Sequence, residues 1–158
     1  MATSTQQKLV KDVMNTDVVS LRPDDTLHDA LDQFVENHVS ALPVVDRHDR
    51  CIGMLSTSDV IDLTRDLGAD LHELEEADRL SNGWIVDRLR GSFGHETVDS
   101  VMTEKVATVS PQTSLPLAAR EMLHHRVHRL PVVHDDGRLV GIISTMDILA
   151  AFAEVPAA

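Results

Sequence analysis

The chain has 158 residues, 42% hydrophobic and 25% charged, with a formal net charge of −12, a composition that suits one compact domain or two small ones sharing a core. The acidic balance works against non-specific binding to nucleic acid or an anionic membrane, and one Trp, three Phe and no Tyr leave few rings to stack on bases. The lone Cys51 excludes an intramolecular disulfide, Met1–Lys11 is polar, and no apolar run approaches the roughly 20 residues of a membrane span, so the expected location is cytoplasmic.

Taken in chain order, the first predicted element is a short strand, Val18–Leu21. A helix follows from a cap at Thr26, with Leu27, Ala30, Leu31, Phe34 and Val35 on one apolar face. A β-branched strand, Leu42–Val45, leads through the polar turn Asp46–Arg50 into a third strand, Cys51–Leu55, and then a second helix. Leu63, Leu67, Leu71 and Leu74 continue at helical spacing among acidic residues. Ser81-Asn82-Gly83 interrupts them, and Trp84, Ile85, Val86 and Leu89 suggest a further short helix before the loop Gly91–Gly94.

The order then repeats. Val106–Val109 is a strand, Ser114 a cap, and Leu115, Ala118, Ala119, Met122 and Leu123 an apolar helical face. Leu130–Val133 and Leu139–Ile143 are strands around the turn His134–Arg138, where Gly137 supplies a positive φ. A shift of 88 lays residues 13–61 on 101–149 without a gap. Val13-Met14 meets Val101-Met102, Leu42-Pro43-Val44-Val45 meets Leu130-Pro131-Val132-Val133, Gly53 meets Gly141, and Ser56-Thr57 and Asp59 meet Ser144-Thr145 and Asp147. The expected division is an N-terminal segment 1–12, repeats at 13–66 and 99–152, a mostly helical linker 67–98 and a tail 153–158. The fold class is α/β, two β-α-β-β-α units. Neither can bury both faces alone, so they should pack together about a pseudo-twofold axis.

The doubled pattern V-M-x-x-x-V…P…L-P-V-V…G…S-T-x-D resembles the tandem CBS domain pair, or Bateman module, over both copies and so over nearly two thirds of the chain. The resemblance implies clefts between the paired sheets that bind adenosine-containing ligands such as AMP, ADP, ATP or S-adenosylmethionine. It also implies a non-catalytic, regulatory role toward another domain or protein, and frequent dimerisation through the helices. No catalytic constellation, phosphate-binding glycine loop or resident cofactor is legible, and the nucleotide would be a regulatory ligand.

Candidate ligand residues follow from position. Ser56, Ser58 and Asp59, with Ser144, Thr145 and Asp147, sit where a strand ends and a helix begins. A carboxylate there can accept from vicinal ribose hydroxyls, and free helix N–H groups can face a phosphate. In the resembled family this Asp contacts the ribose. Ser-x-x-Asp is also a capping box that would serve the helix with no ligand present. His128 and Arg129, entering a strand, resemble the phosphate-contacting stretch of the regulatory γ subunit of AMP-activated kinase, yet they are equally cations near a helix C-terminus, where positive charge is favoured. The first copy has Ser40 and Ala41 there, so unequal sites are expected. Val18 and Pro43 in one copy, and Val106 and Pro131 in the other, are candidate adenine walls or simple core. Thr16, and Lys105 as a phosphate partner, complete the set. Metal binding by His124, His125 and His128 is not expected, because adjacent helical residues project about 100° apart. The leading reading is a nucleotide sensor, a homodimer signalling to an unknown effector protein. The alternative is a structural dimerisation or docking module with empty clefts.

Overall fold

The computed structural model describes residues 7–66 and 96–153. Its elements in chain order are α1 (Val10–Val13), α2 (Leu27–Asn37), β1 (Ala41–Val45), β2 (Cys51–Ser56), α3 (Thr57–Asp66), α4 (Val98–Val101), α5 (Leu115–His125), β3 (Arg129–Val133), β4 (Leu139–Ser144) and α6 (Thr145–Phe152). β1 pairs with β2 and β3 with β4, each pair a two-stranded sheet. This is an α/β fold of two repeats. The linker expected over 67–98 falls outside the described residues except for its last three.

Contacts divide the described chain into two compact units. One gathers residues 7–18, 48–51 and 107–153; the other gathers 19–47, 52–66 and 96–106. Each repeat therefore carries a leading segment that the sequence order assigns to the other. The cores show why. Val10 is fully buried with Val109, Leu115, Ala118, Met122, Leu130, Val132, Ile143 and Ile148 in the first unit. Val98 is fully buried with Leu21, Leu27, Leu31, Phe34, Val44, Leu55 and Val60 in the second. Burying each of these Val and Leu side chains contributes about 1.5–3 kcal/mol. Backbone bonds fix the segments as well: Val10 N donates to Thr113 O at 2.8 Å, and Val98 N to Asp25 O at 2.9 Å.

The long helices start as their sequences require. Thr26 Oγ1 accepts from Asp29 N at 3.1 Å and Ser114 Oγ from Leu117 N at 3.4 Å, each satisfying one of the first-turn donors that no helical carbonyl reaches. Both helices end at an equivalent left-handed residue, His38 (φ 53°) and Arg126 (φ 54°). The expected apolar faces are buried apart from Ala119, which is half-buried, and their last members: Val35 is 39% exposed and Leu123 79% exposed. Position i+8 lies at the edge of the apolar stripe.

The expected strands at Val18–Leu21 and Val106–Val109 contract to single parallel bridges, Leu21 to Val44 and Val109 to Val132. Leu21 N donates to Pro43 O at 2.8 Å, and Val45 N donates to Leu21 O at 2.9 Å; Val109 repeats this with Pro131 and Val133. The turns at Pro23 and Pro111 follow two residues later and end the pairing. The polar turns form as expected, with Gly137 at φ 89° and its equivalent Asp49 at φ 62°.

Candidate functional site

In the first unit the strand-to-helix junction is built around Ser144. It is the last residue of β4 and the N-cap of α6, with φ −113° and ψ 165°. Asp147 N donates to Ser144 Oγ at 3.2 Å, and Ser144 N donates to Asp147 Oδ2 at 2.8 Å. This reciprocal pair is a capping box and holds the carboxylate in place. Among the described residues Asp147 Oδ1 has no hydrogen-bond partner. One oxygen serves the helix and the other is available to a ligand.

The cationic run lies against this junction. Arg129 is the register partner of Ser144 in the antiparallel β3–β4 pair, so their side chains share a sheet face. Thr145 N donates to His128 O at 2.9 Å. The backbone of His128-Arg129 is thus joined to that of Ser144-Thr145 at the end of the ladder. His128 is exposed and Arg129 half-buried. Among the described residues neither side chain has a hydrogen bond or ion pair. An unpaired guanidinium and imidazole at the same junction as an unengaged carboxylate oxygen can hold a ligand bearing both hydroxyls and a phosphate.

The segment before the first repeat forms a third side of the same unit. Asn15 and Ile142 exchange backbone hydrogen bonds, each at 2.9 Å. Gly141 permits this approach, since a Cβ there would stand 2.7 Å from Met14 Sδ and 3.0 Å from Asn15 O. Thr16 is exposed and Val18 half-buried in this unit. Sequence order grouped Val18 with Pro43, and Val106 with Pro131. Contacts regroup them: Thr16 and Val18 fall with Pro131 and Asp147, while Lys105 and Val106 fall with Pro43 and Asp59. Pro43 and Pro131 are both buried within their strands.

The second unit repeats the junction with different wiring. Asp59 Oδ2 accepts from Ser56 N at 2.9 Å and from Ser56 Oγ at 3.0 Å, and Asp59 N donates to Ser56 Oγ at 3.2 Å. Here the other oxygen is engaged too: Thr103 Oγ1 donates to Asp59 Oδ1 at 3.2 Å. Thr103 is held by paired bonds with Met54, at 2.9 and 3.0 Å. Ser58 and Lys105 are exposed, and Ser40 and Ala41 occupy the positions of His128 and Arg129. Asn15 and Thr103 were not singled out from the sequence. Their equivalence, directly after the repeated Val-Met pairs, was the available signal.

Other features fall away from these junctions. An open concavity of about 390 Å³ is lined by Asp25, Asp29, Asp32 and Glu36 among others, a set that would repel phosphate. A second, of about 510 Å³, is lined by Ser110, Pro111, Gln112, His134, Asp135 and Asp136. Beside it, a backbone hydrogen bond from Arg138 and the guanidinium of the same residue, 2.9 Å away, hold the Asp136 carboxyl below the usual range. The His124 and His125 rings meet edge to face, with centroids 4.9 Å apart, and His125 lies 3.3 Å from Glu121. Among the described residues no group of three or more His, Cys, Asp or Glu converges as a metal site would require, and no helix is long and apolar enough to cross a membrane.

The CBS domain family model matches residues 10–66 and 98–154, and the chain belongs to that family, as a tandem pair. A protein of Methanocaldococcus jannaschii, MJ1426, is 31% identical over 153 residues, spanning 90% of each chain. The crystal structure of CBSX2 from Arabidopsis thaliana superposes with a TM-score of 0.74 at 29% identity, covering 93% of this chain and 95% of that one. A structure of CBSX2 in complex with AMP gives a TM-score of 0.71 at 26% identity, over 94% and 98%. The inosine-5'-monophosphate dehydrogenase of Methanocaldococcus jannaschii is 30% identical over 142 residues, which is 90% of this chain but 23% of the enzyme. The likeness to that enzyme thus covers less than a quarter of it.

Proposed function

We propose that the chain is a non-catalytic regulatory module that binds an adenosine nucleotide at the Ser144–Asp147 junction and signals its occupancy to a partner protein. The observation that carries this reading is that one strand-to-helix junction holds an unengaged Asp147 Oδ1 together with the His128-Arg129 run, whose side chains are unpaired among the described residues. Ribose hydroxyls would donate to Asp147. The phosphate would meet Arg129 and His128 near the N-terminus of α6, whose dipole adds favourable field; the Thr145 and Asp147 N–H groups are already engaged, by His128 O and Ser144 Oγ. AMP is bound by the related CBSX2. A ligand that holds the leading segment, β4 and the start of α6 in one arrangement shifts any equilibrium in which they separate, and a partner that prefers one arrangement reads that shift. The proposed compartment is cytoplasmic, in keeping with the single Cys51.

A second reading has its own support. Leu117, Leu123, Met146, Leu149 and Phe152 expose large apolar surface on α5 and α6, with Met146, Leu149 and Phe152 at spacing i, i+3, i+6. Such a patch marks an interface, which fits a homodimer or a docking module whose clefts stay empty. The two readings separate in a thermal unfolding series with AMP, ADP, ATP and S-adenosylmethionine, and GMP as control. A sensor gains stability with the right ligand, about 2.7 kcal/mol at a hundredfold excess over Kd. A docking module with empty clefts gains none from any of them.

A further inference from the structure

The two junctions share a backbone plan and differ in who occupies the carboxylate. Asp147 accepts one hydrogen bond among the described residues, from Ser144 N. Asp59 accepts three: from Ser56 N, from Ser56 Oγ and from Thr103 Oγ1. The third comes from the residue equivalent to Asn15, whose own side chain turns away, its Oδ1 accepting from Asp17 N at 3.0 Å. Gly53 sets this up. A Cβ there would stand 2.8 Å from Thr103 O and 2.9 Å from Met102 Sδ, so only glycine lets the segment lie close enough to bring the Thr103 hydroxyl to Asp59.

We propose that Thr103 is an internal substitute for a ligand hydroxyl, closing the Asp59 junction so that the wild-type chain binds one nucleotide, in the Asp147 unit. The inference rests on reading that aspartate position as the acceptor for ribose hydroxyls. A ribose hydroxyl donating to Asp59 Oδ1 competes with the Thr103 hydroxyl, which already takes one of that oxygen's acceptor sites. A hydrogen bond to a charged group is strong enough that this competition weakens binding about tenfold. The same junction also lacks a cationic pair, with Ser40 and Ala41 at the equivalent positions. A reopened Asp59 junction, with Lys105 as the candidate cation of its unit, would therefore gain less from the phosphate than the Asp147 junction does.

The test is calorimetric titration of the full chain with AMP and with adenosine. Thr103 is exposed, so Thr103→Ala is compatible with folding, and circular dichroism checks it. Wild type is expected to bind one AMP per chain. Thr103→Ala is expected to gain a second site that prefers AMP over adenosine less than the first does, and that Asp59→Ala in the same chain removes. Thr103→Ser keeps the hydroxyl and should behave as wild type. Asn15→Thr, which builds the hydroxyl opposite Asp147, should weaken AMP binding about tenfold. One site in both wild type and Thr103→Ala, or two equal sites in wild type, overturns the role of Thr103 and leaves the nucleotide reading standing. No binding by wild type with one site in Thr103→Ala overturns the Asp147 assignment and supports Thr103 as the closing group. No binding by either overturns both.

Discussion

Gly141 lies against the carbonyl of Asn15 so closely that a Cβ would sit 3.0 Å from that oxygen and 2.7 Å from Met14 Sδ. This approach lets Asn15 and Ile142 pair and so brings the leading segment, with Thr16, to the strand that ends in Ser144. Gly141→Ala pushes them apart. The expected cost is about 1–3 kcal/mol, the usual range for overpacking, read from urea unfolding. Nucleotide affinity should fall with it, because one side of the site moves.

Arg129 separates phosphate recognition from nucleoside recognition. It stands opposite Ser144 in the ladder with no partner among the described residues. Arg129→Ala should lower AMP affinity about 10- to 100-fold, the loss of a charge-assisted pair, and leave adenosine affinity nearly unchanged. Equal losses for the two ligands would place the phosphate elsewhere. The AMP affinity of wild type should also fall as salt rises.

His38 and Arg126 close their helices in the left-handed region, at φ 53° and 54°. Residues with a Cβ pay a steric cost there that glycine avoids. His38→Gly is expected to raise stability by roughly 0.5–1 kcal/mol in chemical denaturation, since the His38 side chain is exposed and its removal forfeits little packing. Destabilisation would mean that the side chain contributes more than its exposure suggests.

The exposed apolar side chains of α5 and α6 belong to the homodimer proposal. Leu149 is 59% exposed and Phe152 65% exposed. Leu149→Asp with Phe152→Asp should shift sedimentation toward the monomer while leaving far-ultraviolet circular dichroism intact. A wild type that is already monomeric at high micromolar concentration contradicts that proposal.

Much of this fold was legible because the repeat made each signal appear twice. Thr26 and Ser114 are caps, the inner members of both helical faces are buried, and the hairpin strands sit within a residue or so of their expected ends. The first strands were overread: a run such as Val18–Leu21 carries strand propensity, but pairing of this kind is decided by the partner it meets, and here only Leu21 meets one. The regrouping of leading segments was not legible either. The sequence reading leaves Val10 in the N-terminal segment and Val98 in the linker, and nothing local says that each enters a core or which core takes it. The capping boxes were foreseen residue by residue. The partner that distinguishes them, Thr103 on Asp59, joins positions 44 residues apart, and no short motif encodes it.

The most direct test of the account is calorimetric titration of AMP into wild type and Asp147→Ala side by side. Wild type is expected to bind AMP saturably, and the variant to lose that binding. The variant should stay folded, less stable by about 1 kcal/mol, the worth of a helix cap. Binding that survives Asp147→Ala with unchanged affinity would contradict the site, and no binding by wild type at millimolar AMP would contradict AMP as its ligand.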